Sequence, residues 1–180
     1  MKFSLSYIFI LSVFFSLSVR ADVRLLNHLE LPLTMETSTS VFSRGSEVRK
    51  IYDEHINVIP KKGDMSEFST AYLNFQTKYA ASFCGSMIQK DKNKSPVDRW
   101  VHQKIDFTKA VVDLTEDEYF YLLEEYAEIF WQRQLSLNEA NVFKNQFSMF
   151  KTFFQGQGQM DQFLLMNCIT FAGSFAFLTN

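Results

Sequence analysis

The chain has 180 residues with a formal net charge of −2, and it contains 20 Phe but only six Gly and three Pro. A charge this small disfavours broad binding to nucleic acid or to anionic membranes, since such binding needs an excess of Lys and Arg. So few Gly and Pro disfavour an all-β protein with many tight turns. The aromatic content predicts a large packed core and excludes a disordered chain.

The first 21 residues have the pattern of a secretory signal peptide. Lys2 precedes an apolar run over residues 3–15, and Val19 and Ala21 occupy the −3 and −1 positions of a cleavage site before Asp22. The run is shorter than the roughly 20 apolar residues that a membrane span needs. We therefore expect an exported chain of 159 residues with 16 basic and 20 acidic side chains, a net charge of −4.

The only two cysteines are Cys84 and Cys168. In an oxidising compartment, two cysteines without a third predict one intramolecular disulfide, which would close a loop of 85 residues from Cys84 through Cys168. The alternative is two separately buried thiols, each packed as a small apolar side chain on a helix face.

After the signal peptide, residues 22–45 show little periodicity and are predicted to be irregular. Pro32 limits any helix there, and the polar residues 37–40 favour a loop. A helical domain is then predicted over residues 46–180. Its first helix begins at Ser46 as N-cap and ends before Ile59-Pro60.

The next long helix is predicted over residues 66–90. It carries one apolar stripe at helical spacing, formed by Phe68, Tyr72, Phe75, Tyr79, Phe83 and Met87. Ser95-Pro96 then predicts another helix start, for a helix that carries Trp100, Val101 and Ile105. Residues 107–114 fit either a continued helix or a short extended piece.

Two capping boxes mark the next helices, Thr115 with Glu118 and Ser136 with Glu139. Gly156 and Gly158 are predicted to end the second of these helices. The last segment, residues 160–178, is apolar nearly all round and predicts a helix buried at the centre of a bundle. A membrane span is the rival interpretation, disfavoured by its short length and by Asn167.

The elements together predict an all-α protein. We expect a single globular bundle of five or six helices with a buried C-terminal helix, preceded by the signal peptide (1–21) and the irregular segment (22–45).

Few residues suggest chemistry. The histidines are His28, His55 and His102, and none has zinc-ligand spacing to another ligand, so no metal or cofactor is predicted. His55 continues an apolar stripe and is interpreted as a core residue. His102 and Asp106 are four residues apart on one predicted helix face, which leaves metal binding or acid–base use by this pair as an alternative. A hydrolase that uses Asp106 or Glu118 in a cleft is a further alternative.

Trp131 and Arg133 lie at a predicted helix end, just before the Ser136 cap. Both residue types are favoured at binding hot spots, so the two are candidates for contacting a partner. The alternative is that they pack within the fold.

Several residues together resemble uncharacterised exported helical proteins of Gram-negative bacteria. They are Phe83-Cys84, Phe130-Trp131-Gln132-Arg133 with Glu139, and Cys168 before the terminal residues 174–180. The pattern is also similar to helical regions of large exported planctomycete-type proteins. The resemblance implies an all-α periplasmic or surface domain and supplies no activity. The haem-attachment modules of those larger proteins have no counterpart here, because the chain has no Cys-x-x-Cys-His.

These observations predict an exported, periplasmic or extracellular, non-enzymatic helical domain. We expect it to bind or support another envelope protein, to bind no nucleic acid and to have no transmembrane span in the mature chain. The alternative is a carrier of a small hydrophobic ligand or lipid, with an aromatic-lined cavity formed by Phe143, Phe147, Phe150, Phe163 and Phe171.

Overall fold

The structure is a computed structural model that describes residues 30–42, 47–59 and 70–175. The predicted signal peptide, the Ser46 cap, and residues 66–69 and 176–178 of the predicted helices lie outside the described residues.

Six α-helices form the described part of the chain, which contains no strand. The prediction of an all-α bundle of five or six helices is therefore confirmed. The helices are α1 Glu30–Thr39, α2 Glu47–His55, α3 Thr70–Lys92, α4 Glu116–Tyr126, α5 Leu137–Phe153 and α6 Met160–Phe175.

Helices α3 and α6 form the centre of the bundle. The predicted stripe of α3 is buried at every described position, and the most extensive contact between elements joins α3 to α6. Cys84 and Cys168 are bonded as predicted, with 5.8 Å between their Cα atoms and both side chains fully buried. The bridge thus ties the two central helices together inside the core.

The expectation of an irregular segment over 22–45 is wrong for residues 30–39, which form α1. Pro32 is the third residue of this helix. There its missing N–H removes no hydrogen bond, since the first N–H groups of any helix have no intrahelical acceptor. Leu31 and Met35 are buried one turn apart, and Thr39 Oγ1 donates to Met35 O at 2.7 Å. The helix ends before Ser40, whose φ of 55° lies in the left-handed region.

The helix predicted to follow Ser95 does not form. Only a 3-10 turn, Pro96–Asp98, is present, and Arg99 leaves it in an extended conformation. Residues 99–110 continue without regular helix, and a second 3-10 turn, Val111–Asp113, leads to α4.

Both predicted capping boxes are confirmed. At α4 the backbone N–H of Glu118 donates to Thr115 Oγ1 (3.2 Å), while Glu118 accepts from the N–H of Thr115 (2.7 Å). Ser136 and Glu139 make the same reciprocal pair at α5.

The ends of these helices differ from expectation. Helix α4 continues into one π-helical turn, Ala127–Trp131, which stops at Gln132 with φ of 52°. Helix α5 ends at Phe153, before the predicted Gly156.

Candidate functional site

A buried polar network lies where the last turn of α3 meets the chain that follows it. Asp91 and His102 are both fully buried, and Asp91 Oδ2 lies 2.9 Å from His102 Nδ1. The same carboxylate accepts three backbone N–H groups. Oδ1 accepts from Trp100 (2.8 Å), and Oδ2 accepts from Val101 (3.0 Å) and His102 (3.3 Å).

The Asp91 carboxyl is ionised in this arrangement. Burial by itself raises its pKa, but the hydrogen bonds from the His102 ring and from the three backbone N–H groups outweigh burial and hold the pKa well below its ordinary value. An ionised carboxylate can only accept hydrogen bonds, so the proton between the two side chains is on His102 Nδ1. The geometry therefore fixes the orientation of the imidazole ring.

Tyr126 of α4 extends the network to the far side of the imidazole ring. Its hydroxyl lies 2.8 Å from His102 Nε2 and 3.4 Å from the carbonyl oxygen of Leu164 in α6. Burial first, and then the negative charge of Asp91, raise the pKa of Tyr126 well above its ordinary value. The phenol is therefore neutral, and the chain Asp91–His102–Tyr126 connects α3, α4 and α6 through residues 99–102.

Arg99 organises the same segment from its other side. Its guanidinium donates to the carbonyl oxygens of His102 (3.1 Å) and Ile105 (2.5 Å), and its Nε donates to that of Lys94 (3.3 Å). The guanidinium also lies 4.9 Å from the ring centroid of Phe107. The side chains of Asp91 and Arg99 thus form hydrogen bonds with backbone N–H and C=O groups that would otherwise bond to one another in a helix. These bonds explain why the predicted helix is absent.

The carboxylate, the imidazole and the hydroxyl follow one another in the order found in the catalytic triads of hydrolases. All three side chains are buried, with 0% of the surface of His102, Asp91 and Tyr126 exposed. In this conformation a substrate has no path to the imidazole. The arrangement is suited to holding backbone segments in place.

The sequence analysis did not single out Asp91, Arg99 or Tyr126 as parts of a site. A signal for Asp91 was present, because it continues the four-residue spacing of Tyr79, Phe83 and Met87 along the buried stripe of α3. A carboxylate on the buried face of a helix needs hydrogen-bond partners inside the protein, so its presence there predicts a buried polar network.

The expected pairing of His102 with Asp106 is wrong. The two do not share a helix face, because the helix does not form; Asp106 is exposed and its Oδ1 accepts from the N–H and hydroxyl of Thr108. Glu118, the other carboxylate considered for hydrolysis, accepts from Lys109 at 2.8 Å and belongs to the α4 cap. Its pKa is lowered, since the hydrogen bonds from Lys109 and Thr115 outweigh the effect of burial.

His55 lies on the half-buried side of α2. Its Nδ1 is 2.9 Å from Ile51 O, and its ring stacks on Phe75 with 5.6 Å between centroids. His55 is therefore not the core residue that the sequence predicts: it is half-buried and packs its ring against the buried Phe75.

The Trp131 corner, defined as Trp131 and Arg133, lies where the π-helical turn after α4 ends. The Trp131 ring lies 4.5 Å from that of Phe171, and its Nε1 donates to Ser174 Oγ at 2.9 Å. The Arg133 guanidinium covers the ring at 4.9 Å and makes a double hydrogen bond with Glu139 (2.8 and 2.6 Å). Trp131 is half-buried and Arg133 exposed, so the pair both packs within the fold and presents a surface.

The five phenylalanines proposed to line a cavity are buried and contact other rings. Phe143 stacks on Phe171 with 5.1 Å between centroids, and Phe150 meets Phe163 edge-on at 5.9 Å. Phe147 stacks on Tyr119 at 4.3 Å. These rings fill the space between α4, α5 and α6.

Two further searches cover only the described residues. None of the helices there combines the length and the apolar character needed to cross a bilayer. Across the same residues, no three His, Cys, Asp or Glu side chains lie close enough together to hold a metal ion.

Comparison of the chain with protein-family models, with curated proteins and with solved structures finds no match. The resemblance to exported helical proteins of Gram-negative bacteria therefore stays a prediction.

Proposed function

We propose that the protein is an exported, non-enzymatic helical domain that binds or supports another protein of the cell envelope. The observation that carries the proposal is the sealed Asp91–His102–Tyr126 network. Among the described residues, this is the group of side chains most like a catalytic site, and its hydrogen bonds join α3, α4, α6 and the segment between α3 and α4. Such a network supports a fixed shape, which is what a binding or structural domain needs.

Export is supported by two independent features. Residues 1–21 have the pattern of a signal peptide, and the Cys84–Cys168 bridge is of a kind that persists in oxidising compartments. We propose the periplasm or the extracellular space as the location.

The Trp131 corner is the surface that we propose for the partner. Phe171 and Ser174 hold the Trp131 ring, and the two hydrogen bonds to Glu139 hold the Arg133 guanidinium. Two favoured hot-spot residue types are therefore preorganised, so that little conformational entropy is lost on binding.

Site-specific photo-crosslinking in the producing cell tests this proposal. A photoreactive residue replaces Gln134, which is exposed beside Arg133, and a second version carries it at Thr77, exposed on α3. We expect one discrete adduct with an envelope protein from position 134 and none from 77. The adduct should disappear when Arg133→Ala is added.

Loss of the adduct in the Arg133→Ala background, under conditions where circular dichroism shows that the variant is still folded, would assign it to the corner. Absence of any adduct from position 134, together with a monomeric protein in native envelope extracts, would overturn the proposal.

A further inference from the structure

Three apolar side chains are exposed on the two chain segments that meet where α1 ends. Val97 is 84% exposed, Phe42 is 77% exposed and Trp100 is 48% exposed. They project from non-helical chain or from a single 3-10 turn, and they lie outside the core.

Hydrogen bonds join the segments that carry these residues. Trp100 Nε1 donates to Ser38 O at 3.0 Å, and Lys90 Nζ donates to Ser40 O at 2.7 Å. Phe42 follows Ser40 by two residues, and Val97 precedes Trp100 by three. Since a residue extends the chain by at most about 3.6 Å, both stay within roughly 11 Å of those anchors.

The same end of the molecule carries positive charge. Residues 90–104 contain five Lys or Arg and two Asp, and Asp161 pairs with Lys92 at 2.7 Å, so the group has a formal net charge of +2 in a chain whose total is −2. Asp91, one of the two acids, is buried against His102. Lys90, Lys94 and Arg99 donate to backbone carbonyl oxygens, which carry no formal charge, so their positive charge is not neutralised by these contacts.

We propose that this surface, the Trp100 tip (Phe42, Lys90, Lys94, Val97 and Trp100), docks onto an anionic phospholipid bilayer. The indole and the two apolar side chains would enter the interfacial layer, where Trp is favoured. The lysines would lie above them, close to the lipid phosphates, where each basic side chain adds to the attraction. The overall negative charge of the chain does not prevent this, because screening limits each interaction to about 10 Å.

The shape of the tip favours a bilayer over a protein as its partner. Protein hot spots sit in well-packed regions that match a complementary surface. Val97 and Phe42 instead project with most of their surface uncovered. A fluid lipid layer accepts such isolated projections without a complementary shape. The inference does not rest on the proposed function, since the Trp131 corner and the Trp100 tip are made of different residues.

Vesicle co-sedimentation tests the proposal. The protein is purified after export by a host cell, and intact mass verifies that every variant has the same N-terminus. Vesicles contain phosphatidylcholine alone or with 30% phosphatidylglycerol in roughly 0.1 M NaCl, where the Debye length is about 10 Å. We compare Phe42→Ser/Val97→Ser with the matched pair Leu137→Ser/Phe153→Ser, whose side chains are 85% and 58% exposed on α5.

The charges are tested in the same way. Lys90→Gln/Lys94→Gln is compared with Lys78→Gln/Lys144→Gln, which makes the same charge change at exposed positions of α3 and α5. We expect the wild-type protein to prefer the anionic vesicles and to lose binding as salt increases. Each tip pair should weaken binding about tenfold, because buried apolar surface and basic charge both contribute to affinity for anionic bilayers. Each control pair should stay within about twofold of the wild type.

Failure of the wild-type protein to bind anionic vesicles would overturn the proposal and leave the tip to a protein partner. Equal losses in the tip and control pairs would overturn it as well, since binding would then not depend on this surface. Circular dichroism and melting temperature of each pair ensure that a loss of binding is not a loss of fold. Neither result affects the crosslinking from position 134.

Discussion

Asp91 and His102 lie eleven residues apart in the chain and meet inside the core, with 2.9 Å between Asp91 Oδ2 and His102 Nδ1. The carboxylate also accepts the backbone N–H groups of Trp100, Val101 and His102. One side chain at the end of α3 therefore replaces, for the following segment, the hydrogen bonds that a helix would have supplied.

The first prediction concerns this carboxylate. Asp91→Asn replaces one acceptor oxygen by an NH₂ group that must face backbone N–H donors. It also removes the negatively charged carboxylate that accepts the hydrogen bond from His102 Nδ1. We expect the free energy of unfolding to fall by about 1–3 kcal/mol, the cost of leaving buried hydrogen-bond donors without their acceptor. Urea denaturation followed by circular dichroism measures this change.

The control for that variant is Asp98→Asn, which makes the same chemical change at an exposed position in the same segment. We expect it to change the free energy of unfolding by less than about 0.5 kcal/mol. Trypsin offers a second measurement, because Lys94, Arg99, Lys104 and Lys109 lie within the segment. Cleavage there should be faster in Asp91→Asn than in Asp98→Asn, and equal rates would contradict the anchoring role of Asp91.

The second prediction concerns the phenol at the other end of the network. Tyr126→Phe keeps the ring and removes the hydroxyl that bonds His102 Nε2. A buried ring nitrogen then has lost its partner, which costs about 1–3 kcal/mol. Tyr121→Phe, at a half-buried position on the same helix, removes a hydroxyl that bonds the side chain of Glu125, and it should cost less than about 1 kcal/mol in the same urea experiment. Equal effects of the two variants would mean that the hydrogen bond to His102 adds no stability.

The features that the sequence predicts well are those set by local chemistry. The capping boxes at Thr115 and Ser136 depend on residues three positions apart, and both form as expected. The buried stripe of α3 follows from helical spacing alone, because any amphipathic helix of this size must bury that face. The bridge between Cys84 and Cys168 follows from counting two cysteines in a chain that is expected to be exported.

The features that the sequence does not predict depend on contacts between distant residues. Ser95-Pro96 is a good local helix start, yet Asp91 and Arg99 bind the backbone of the next residues and hold it in another shape. Pro32 suggests a break in α1, but its position in the first turn allows the helix, and burial of Leu31 and Met35 stabilises it. Local propensity is a weak guide wherever tertiary contacts of this kind are available.

The third prediction is a pH dependence centred on Glu139. The hydrogen bonds from Arg133, followed by those from Ser136, lower its pKa from an ordinary value of 4.5 to about 2, against the effect of burial. A lowered pKa stabilises the folded state fully above pH 4.5, and this contribution is lost as the pH falls from 4.5 towards 2. We expect the free energy of unfolding of the wild type to decrease over that window.

Glu139→Gln should decrease less steeply over the same window, because the residue that takes up the proton is gone. Glu128→Gln, an exposed site in the π-helical turn, should keep the wild-type slope. Urea denaturation at pH 7, 5, 4, 3 and 2.5 provides the comparison. Identical slopes for Glu139→Gln and the wild type would show that the pair with Arg133 does not stabilise the fold.

The fourth prediction concerns the bridge between α3 and α6. Cys84→Ala/Cys168→Ala removes a cross-link that closes 85 residues, and the chain-entropy model gives a loss of about 4–5 kcal/mol as an upper figure. Because both cysteines are fully buried, dithiothreitol should reduce the bridge only when urea opens the core. Matched samples with and without urea are alkylated after reduction and compared by intact mass.

The unreduced protein, purified after export, should have the mass of Asp22–Asn180 less two hydrogens. Such a mass would establish both cleavage after Ala21 and the bridge, whereas a full-length mass with two free thiols would contradict export. Reduction at the same rate with and without urea would instead show that the bridge is accessible from solvent. Cys84→Ala/Cys168→Ala lacks the bridge between α3 and α6 but keeps residues 1–21. We therefore expect it to be less stable than the wild type and to be exported and cleaved at the same position.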